Sequence, residues 1–383
     1  MSKQKALETL IPGLDLRKAK RYSRVKLVVL LVSTLWSVAR LLWFGRGRSA
    51  ALRDRLEQKA PDRRLVAPTF VAIASVGAWL SSLPLSFVGG YLVERWFGLT
   101  KQRPSGWLTD EAKGLGVSLA LGVPLTTGAY AVIRRRPHDW WLVLSAAAVP
   151  LAVVASNLAP VLLMPLFNRF EPLRDRRRAD RVRALADKAG IRIADVYQMD
   201  MSRQTEKPNA MFAGVGNTKR IVLADTLLDR FGDEEIDGIV AHELGHQVHG
   251  DIWRSIAVSG ALGFVSALAL DRLATIFVGR FGARNGVHSL GDIASLPWLG
   301  LALTAIGFVT APLIAAYSRA IERRADRYAV DLTGDGAVYA GALGRLASES
   351  LADPQPPRPV VWMLYSHPPI AERIAAAQAA GAD

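Results

Sequence analysis

His242-Glu243-Leu244-Gly245-His246 is an HExxH motif, and the residues before it have the spacing of a helix. Asp233 is placed to cap that helix, and apolar residues then recur at helical intervals. Residues four positions apart lie on one face of a helix, so His242 and His246 can hold one zinc ion together. Glu243 then points beside the metal, where a general base acts on water. The stretch therefore predicts a helical zinc site.

A zinc site of this kind needs a third protein ligand, and two arrangements are known. In the pattern HExxHxxGxxH the ligand is a nearby histidine, but His249 stands at the glycine position and Ile252 at the histidine position. The other arrangement takes a glutamate from a later helix, and Glu322 of the stretch ERRAD fits it. Asp326 lies one helical turn further on. We therefore expect Glu322 to bind the metal and Asp326 to accept a hydrogen bond from a ligand imidazole.

The distribution of apolar residues predicts a membrane protein. The chain has 383 residues, is 50% hydrophobic and carries a formal net charge of +14. Its apolar residues collect in runs long enough for a helix to cross a bilayer, which takes about 20 residues. Asp271 and Arg272 interrupt one run, so we expect these charges to face protein, water or the interface rather than lipid. The runs are Val25 to Phe44, Val66 to Leu92, Leu115 to Ile133, Trp140 to Phe167, Ile252 to Val278 and Ile293 to Tyr317.

The excess positive charge bears on the kind of binding partner, and the lack of cysteine on the kind of metal site. The basic residues lie beside the apolar runs, which fits contact with membrane lipids better than contact with nucleic acid. We therefore expect no nucleic-acid partner. Because the chain has no cysteine, disulfides and thiolate metal ligands are excluded.

The predicted fold class is mainly α, with multi-pass membrane helices and a zinc domain that contains a small β-sheet. Ile191 to Met199 and Ile221 to Leu223 have strand character, and Pro208 to Gly216 is an expected edge strand and turn. Helical patterns near Ala337 to Leu351 and Ile370 to Ala380 flank a proline-rich loop. The predicted segments are a membrane region of about four spans (1–167), a soluble zinc segment (168–251), two further spans (252–317) and a third-ligand helix with a C-terminal helical region (318–383).

An even number of spans predicts one membrane side for both termini and the zinc domain. The basic N terminus and the arginine-rich stretch after Phe167 favour the cytoplasmic side of a cell membrane. The same count puts the basic stretches Arg46 to Arg64 and Arg134 to Arg136 on the opposite side, against the charge rule. We expect the fold to override this bias because Val25 to Phe44 has the length and apolarity of a span.

Several stretches together resemble one family. They are HELGH from His242, NAMFAGVGNTKRIVLADTLL from Asn209, ERRAD from Glu322, SHPPIAERI from Ser366, LMPLFNRFEPL from Leu163 and VERWFGL from Val93. In these stretches the chain resembles the type I CAAX prenyl endopeptidases, which are integral-membrane zinc metalloproteases, and their bacterial relatives. The resemblance covers most of the chain from about Leu92 onward.

The resemblance implies one zinc ion per chain and a role for each matching residue. It implies His242, His246 and Glu322 as metal ligands and Glu243 as the general base. It also implies that Asp326 supports the site or donates a proton, that His367 and Arg373 line the site and that Asn209 holds substrate at the edge strand. With a zinc site elsewhere in the chain, His367 is also our candidate for a donor to the oxyanion. The family encloses a chamber in a ring of helices. Its eukaryotic members have seven spans, so the span absent from our count is expected at the N terminus.

Other functions are kept open by the sequence. Membrane quality-control proteases of the HtpX type share the zinc motifs and are the nearest rival. An intramembrane zinc protease is disfavoured because charged residues flank the motif on both sides, at Asp233 to Glu235 and at Asp251. A transporter explains the spans but not the zinc residues, and a non-proteolytic scaffold is disfavoured because no catalytic residue is missing. The substrate is expected to be a peptide or protein, either lipid-modified or membrane-embedded.

Overall fold

The structure, a computed structural model, describes residues 10–214 and 219–381, and this part of the chain is mainly helical with one small sheet. The predicted fold class is therefore confirmed. Val215 and Gly216, which the sequence places in the turn after the edge strand, lie outside the described residues. In chain order the helices are α1 (Leu16–Gly45), α2 (Arg48–Lys59), α3 (Val66–Ser86), α4 (Val93–Phe97), α5 (Pro104–Arg135), α6 (Trp140–Leu158), α7 (Arg176–Lys188), α8 (Asp225–Leu228), α9 (Asp233–Val248), α10 (Asp251–Phe277), α11 (Leu296–Thr333), α12 (Gly336–Ser350), α13 (Arg358–Leu364) and α14 (Ile370–Ala380).

Six helical stretches of the described residues are long and apolar enough to cross a membrane, and they coincide with the six apolar runs. The prediction of six spans is confirmed in this sense of length and composition. In the second span, a π-helical turn at Phe87–Leu92 joins α3 to α4. The stretches are Leu16–Gly45, Arg63–Phe97, Pro104–Arg135, Trp140–Leu166, Asp251–Asn285 and Ile293–Thr333.

The acidic member of the charged pair in the fifth span faces protein, as expected. The carboxylate of Asp271 is buried and accepts a hydrogen bond from Trp140 Nε1 at 2.8 Å. Its neighbour Arg272 is largely exposed near the end of α10. An ionised group buried in apolar surroundings is costly unless it has a partner, and the indole of α6 supplies one.

Between the fourth and fifth spans, the chain forms a sheet of four strands in the order β1, β2, β4, β3. The pair β2–β4 is parallel, while β1–β2 and β3–β4 are antiparallel. β3 therefore lies at an edge of the sheet, which confirms the expected edge strand. The strands are β1 (Phe170–Pro172), β2 (Asp195–Met199), β3 (Ala210–Ala213) and β4 (Arg220–Ala224).

Two local predictions in this region are wrong. The strand predicted from Ile191 begins only at Asp195, because the N–H of Ile191 bonds to Ala186 O and completes the end of α7. The cap of α9 is Gly232 rather than Asp233, and Glu235 accepts the Gly232 N–H at 2.8 Å. Asp233 instead pairs with arginines of α7, which draw its carboxylate away from the helix end.

The zinc-motif helix α9 is buried between α11 and α12, and two glycines allow the close approach. A Cβ at Gly238 would meet the ring of Tyr339 on α12 at 3.0 Å. A Cβ at Gly245 would meet Ala325 Cα and the Tyr328 side chain of α11, both at 3.2 Å. The two glycines are seven positions apart, so they lie on one face of α9, and that face fixes the distance to both neighbours.

The last part of the chain packs back onto α9. α11 runs without a break through residue 317, so the sixth span and the segment with Glu322 form one helix. The division of the chain into four segments stays a prediction. Both predicted C-terminal helices are confirmed as α12 and α14. The loop between them contains the additional helix α13, which begins at a proline-rich stretch where proline suits the first helical turn.

Candidate metal centre and active site

The two histidines of α9 face the same point. Their Nε2 atoms lie 3.2 Å apart, and their rings are nearly perpendicular, at 88°. The helix holds them there because Ile236, Val240 and Leu244 bury the opposite side in the core. A spacing of four residues therefore has the geometric result that the sequence predicts.

Glu322 reaches the same point from α11, the helix that packs against Gly245 of α9. Its Oε2 lies 3.3 Å from His242 Nε2, and its Oε1 lies 3.7 Å from His246 Nε2. One ligand atom from each of the three residues can be chosen so that all lie within 4.8 Å of one another. The structure thus brings together the three predicted ligands, although Glu322 follows His246 by 76 positions in the sequence.

The donor set fits a zinc ion. Glu322 Oε2 is buried and has no hydrogen-bond partner among the described residues, although a buried carboxylate oxygen normally has one. The Nε2 atoms of His242 and His246 also point at each other, which is the arrangement expected of two nitrogens that bind the same cation. Two imidazoles and one carboxylate form a common ligand set of catalytic zinc sites, which leave one position open. A cation at this point would satisfy all three groups.

The other ring nitrogen of His242 is held by a buried network. His242 Nδ1 lies 3.0 Å from Asp326 Oδ1 and 3.1 Å from the Tyr339 hydroxyl, which donates to the same oxygen at 2.7 Å. Arg373 donates to both oxygens of Asp326, at 2.8 and 2.6 Å. An N–H at Nδ1 leaves Nε2 free for a metal, so this network sets the tautomer that the site requires.

His246 has its own carboxylate, which sequence reasoning missed. Its Nδ1 lies 3.0 Å from Asp251 Oδ2, and Asp251 is 5% exposed. Arg324 of α11 pairs with the other Asp251 oxygen at 2.6 Å. Tyr339 was missed in the same way. The only sequence signal for Asp251 is its position five residues after the motif, while nothing near Tyr339 marks it.

Glu243 lies on the side of α9 that faces the sheet edge. Its side chain is partly buried, and burial raises the pKa of its carboxyl group above the ordinary value. His242, His246 and the backbone N–H of Phe212 on β3 each lower this pKa, but burial has the larger effect. The predicted base therefore lies between the metal point and the edge strand.

His367 reaches the cluster from the loop before α14. Its Nε2 lies 3.3 Å from Glu322 Oε2, and its side chain is 53% exposed. Ser366 Oγ lies 2.9 Å from the other ring nitrogen. The loop is anchored by the buried Arg319, which donates to the carbonyls of Val361 and Tyr365 at the end of α13.

The two predicted substrate-binding residues differ in placement. Arg373 is mostly buried, with 11% of its side chain exposed, and belongs to the Asp326 network, with Nη2 3.9 Å from Glu322 Oε2. Asn209 lies just before β3, where its carbonyl accepts the N–H of Ala224. In the described residues, its side chain has no hydrogen bond to the metal cluster.

Comparisons with known proteins agree with this architecture. A sequence model described as Peptidase family M48 matches residues 172–380. A second, described as CAAX prenyl protease N-terminal with five membrane helices, matches residues 2–169. Four of the candidate spans of the described residues fall within the second match.

Several individual proteins are similar to the chain. It is 31% identical to the uncharacterized metalloprotease YhfN of Bacillus subtilis, over 94% of this chain and 84% of that protein. It is 29% identical to the CAAX prenyl protease 1 homolog of Arabidopsis thaliana, over 91% of this chain and 81% of that protein. The crystal structure of S. mikatae Ste24p superimposes with a TM-score of 0.84 at 25% identity, over 94% of this chain and 88% of that one. The resemblance found in the sequence motifs is confirmed, and the HtpX-type, scaffold and transporter alternatives are not favoured.

Proposed function

The chain belongs to peptidase family M48, and from this premise we propose that it is an integral-membrane zinc metalloendopeptidase with Glu243 as general base. The observation that carries the proposal is the convergence of His242, His246 and Glu322 on one point, where the buried Glu322 Oε2 makes no hydrogen bond within the described residues. A set of three protein ligands is typical of catalytic zinc, whereas structural zinc has four.

The proposed reaction divides between the metal and the side chains of the site. Zinc, when bound, supplies a Lewis acid that polarises the scissile carbonyl and acidifies water. Glu243 takes the proton of the attacking water and gives it to the leaving amine. Burial raises the pKa of its carboxyl group toward the operating pH, which is the direction that suits a group that must accept and return a proton.

His367 is the proposed donor to the oxyanion. Its half-exposed ring touches the ligand Glu322, so a substrate carbonyl at the metal would lie beside its Nε2. Removing one donor of this type costs about 3 kcal/mol of transition-state stabilisation. Arg319 acts on catalysis only through this loop, since its guanidinium holds backbone carbonyls.

Asp326 is assigned to orienting His242 rather than to donating a proton. It accepts hydrogen bonds from Arg373 and Tyr339, and both donors favour the ionised carboxylate. We likewise assign Arg373 to holding Asp326 in place. Its Nε–H donates to Asp326 and is therefore not free to bind substrate.

The proposed substrate is an extended peptide that pairs with the free edge of β3. The backbone N–H of Phe212 in β3 hydrogen-bonds to Glu243 and lowers the pKa of its carboxyl group. A peptide strand paired with β3 would therefore run past the base. Asn209, at the start of β3, is the proposed side-chain contact to that peptide. Relatives named CAAX prenyl protease 1 make a lipid-modified peptide the first choice. A membrane-embedded segment is the second, because α9 leads directly into a membrane helix.

The chain is a multi-pass membrane protein, and we propose that its zinc site faces the cytoplasm. The proposed function is tested on purified full-length protein in detergent, with a quenched peptide that has three residues after a cysteine that is either prenylated or free. Chelation should abolish cleavage, and one equivalent of zinc per chain should restore it. Cleavage that persists in metal-free protein would contradict the proposal. A preference for the prenylated peptide would identify the substrate class.

A further inference from the structure

A groove between the first two spans contains an arginine that has no partner among the residues that the structure describes. α1 and α3 enclose about 670 Å³, and the lining is mostly apolar, with Trp36, Phe44 and Ile73 among its residues. Arg40 is the charged member of that lining. Its Nε atom is buried and has no hydrogen-bond partner among the described residues. No ion pair in the described part of the chain includes it. The groove therefore joins a long apolar surface to one unsatisfied cation.

The position of Arg40 along α1 places it at the depth of lipid head groups. The start of α1 packs into the core of the zinc domain through Ala19 and Tyr22. When α1 spans the membrane, for which it has the length and apolarity, its other end at Gly45 lies on the opposite side. Arg40 is five residues before that end, or about 7 Å at 1.5 Å per residue. A charged group within a span is costly, but a long side chain near its end can reach the interface.

The form of the groove suits a hydrocarbon chain. A Cβ added at Gly77 of α3 would meet no atom within 4 Å, so the floor of the groove is open there. Ala74 and Ala78 lie on the same part of α3 and keep the space clear. Trp36 Nε1 donates to Ser81 O at 2.9 Å and ties α1 to α3 beside the groove. The volume is within the range of small-molecule pockets, about 300 to 1,000 Å³.

We propose that this groove binds one anionic phospholipid from the leaflet opposite the zinc domain, with its phosphate on Arg40 and one acyl chain along α1 and α3. A phosphate offers two oxygens to the planar guanidinium, which is the partner that Arg40 lacks. Arg46 and Arg48 follow at the same end of α1, so a head group with net negative charge is favoured over a zwitterionic one.

The experiment uses delipidated full-length protein in detergent and native mass spectrometry. Phosphatidylglycerol and phosphatidylcholine with identical acyl chains are titrated separately. Wild-type protein should retain one phosphatidylglycerol at least tenfold more tightly than phosphatidylcholine. Arg40→Gln should remove this preference, whereas Arg272→Gln, the same charge change at an exposed position of α10 outside the groove, should keep it. Each variant is first shown to be monodisperse with an unchanged melting temperature.

A second pair of variants tests the acyl-chain path. Gly77→Phe should fill the groove and lower phosphatidylglycerol retention at least tenfold. Gly122→Phe, at an equally open glycine on α5, should not. If Gly77→Phe fails to fold, Arg40→Gln still decides the matter.

Three outcomes would overturn the inference. The first is equal phosphatidylglycerol retention by Arg40→Gln and wild type. The second is displacement of the lipid by glycerol 3-phosphate, which would show a site for free anions. The third is a wild-type dimer that Gly77→Phe dissociates, which would show that a second copy fills the groove. None of these readouts depends on peptide cleavage, so they are independent of the proposed function.

Discussion

The Nδ1 atom of His246 lies 3.0 Å from the Oδ2 atom of Asp251, the first residue of α10. Arg324 of α11 pairs with the same carboxylate at 2.6 Å. One buried carboxylate therefore connects the zinc-motif helix to both of the membrane helices that follow it. The arrangement fixes the orientation of the His246 imidazole and links the candidate metal site to the spans.

Loss of this carboxylate should weaken metal binding. Asp251→Asn keeps the side-chain shape but removes the charge that orients His246, so zinc affinity should fall about 10- to 100-fold. Affinity is measured by competition with a chelator of known strength. Asp331→Asn, the same change at an exposed position of α11, is the control and should have no effect. Equal affinities of Asp251→Asn and wild type would contradict the assignment.

The contact at Gly245 predicts an unusual effect of alanine. Alanine normally stabilises a helix by about 1 kcal/mol relative to glycine. At Gly245 the new methyl group would press on Ala325 Cα at 3.2 Å, which moves Glu322 away from the histidines. Gly245→Ala should therefore lower both zinc retention and melting temperature. Gly341→Ala, at an open helical position of α12, should raise or maintain the melting temperature. The same response from both variants would show that the α9–α11 contact does not position the site.

Zinc affinity should depend on pH through His242. In the metal-free protein burial disfavours the charged imidazole, but hydrogen bonds to Asp326 and Glu322 favour it more and raise the pKa to about 9. A metal takes the deprotonated ring, so binding below this pH must release the proton. Apparent affinity should fall about tenfold for each pH unit from 9 to 6.5. Chelator competition across this range measures the slope, and a flat profile would contradict the raised pKa.

The chain has no cysteine, so its topology can be tested without a background of native thiols. Gln58 is exposed on α2, at the end of the bundle where Arg53 pairs with Asp292. With six spans, Gln58→Cys should react with an impermeant reagent from outside the cell, and Ala379→Cys only after permeabilisation. Protection of both positions would place the first segment in the interface and reduce the span count to five.

Local patterns predicted most of the site. The spacing of His242 and His246 determines their shared face whatever surrounds them, and Glu322 was found because a zinc motif without a downstream histidine requires a distant acid. The apolar runs likewise predicted the six candidate spans of the described residues, since length and hydropathy alone decide whether a helix can cross.

The features that the sequence did not predict depend on packing between distant elements. Tyr339 reaches His242 only because Gly238 lets α12 approach α9. Asp233 leaves the helix end because arginines of α7 lie nearby, which no local rule anticipates. Similarly, Ile191 has strand character but its N–H completes the end of a helix.

The central claim is that Glu243 is the base of a zinc peptidase. Its most direct test compares wild type with Glu243→Gln, with zinc content and peptide cleavage measured on the same purified samples. Because the amide keeps the shape but cannot accept a proton, zinc per chain should be unchanged while the cleavage rate falls about 100- to 10,000-fold. A zinc-loaded Glu243→Gln that cleaves at nearly the wild-type rate would contradict the account.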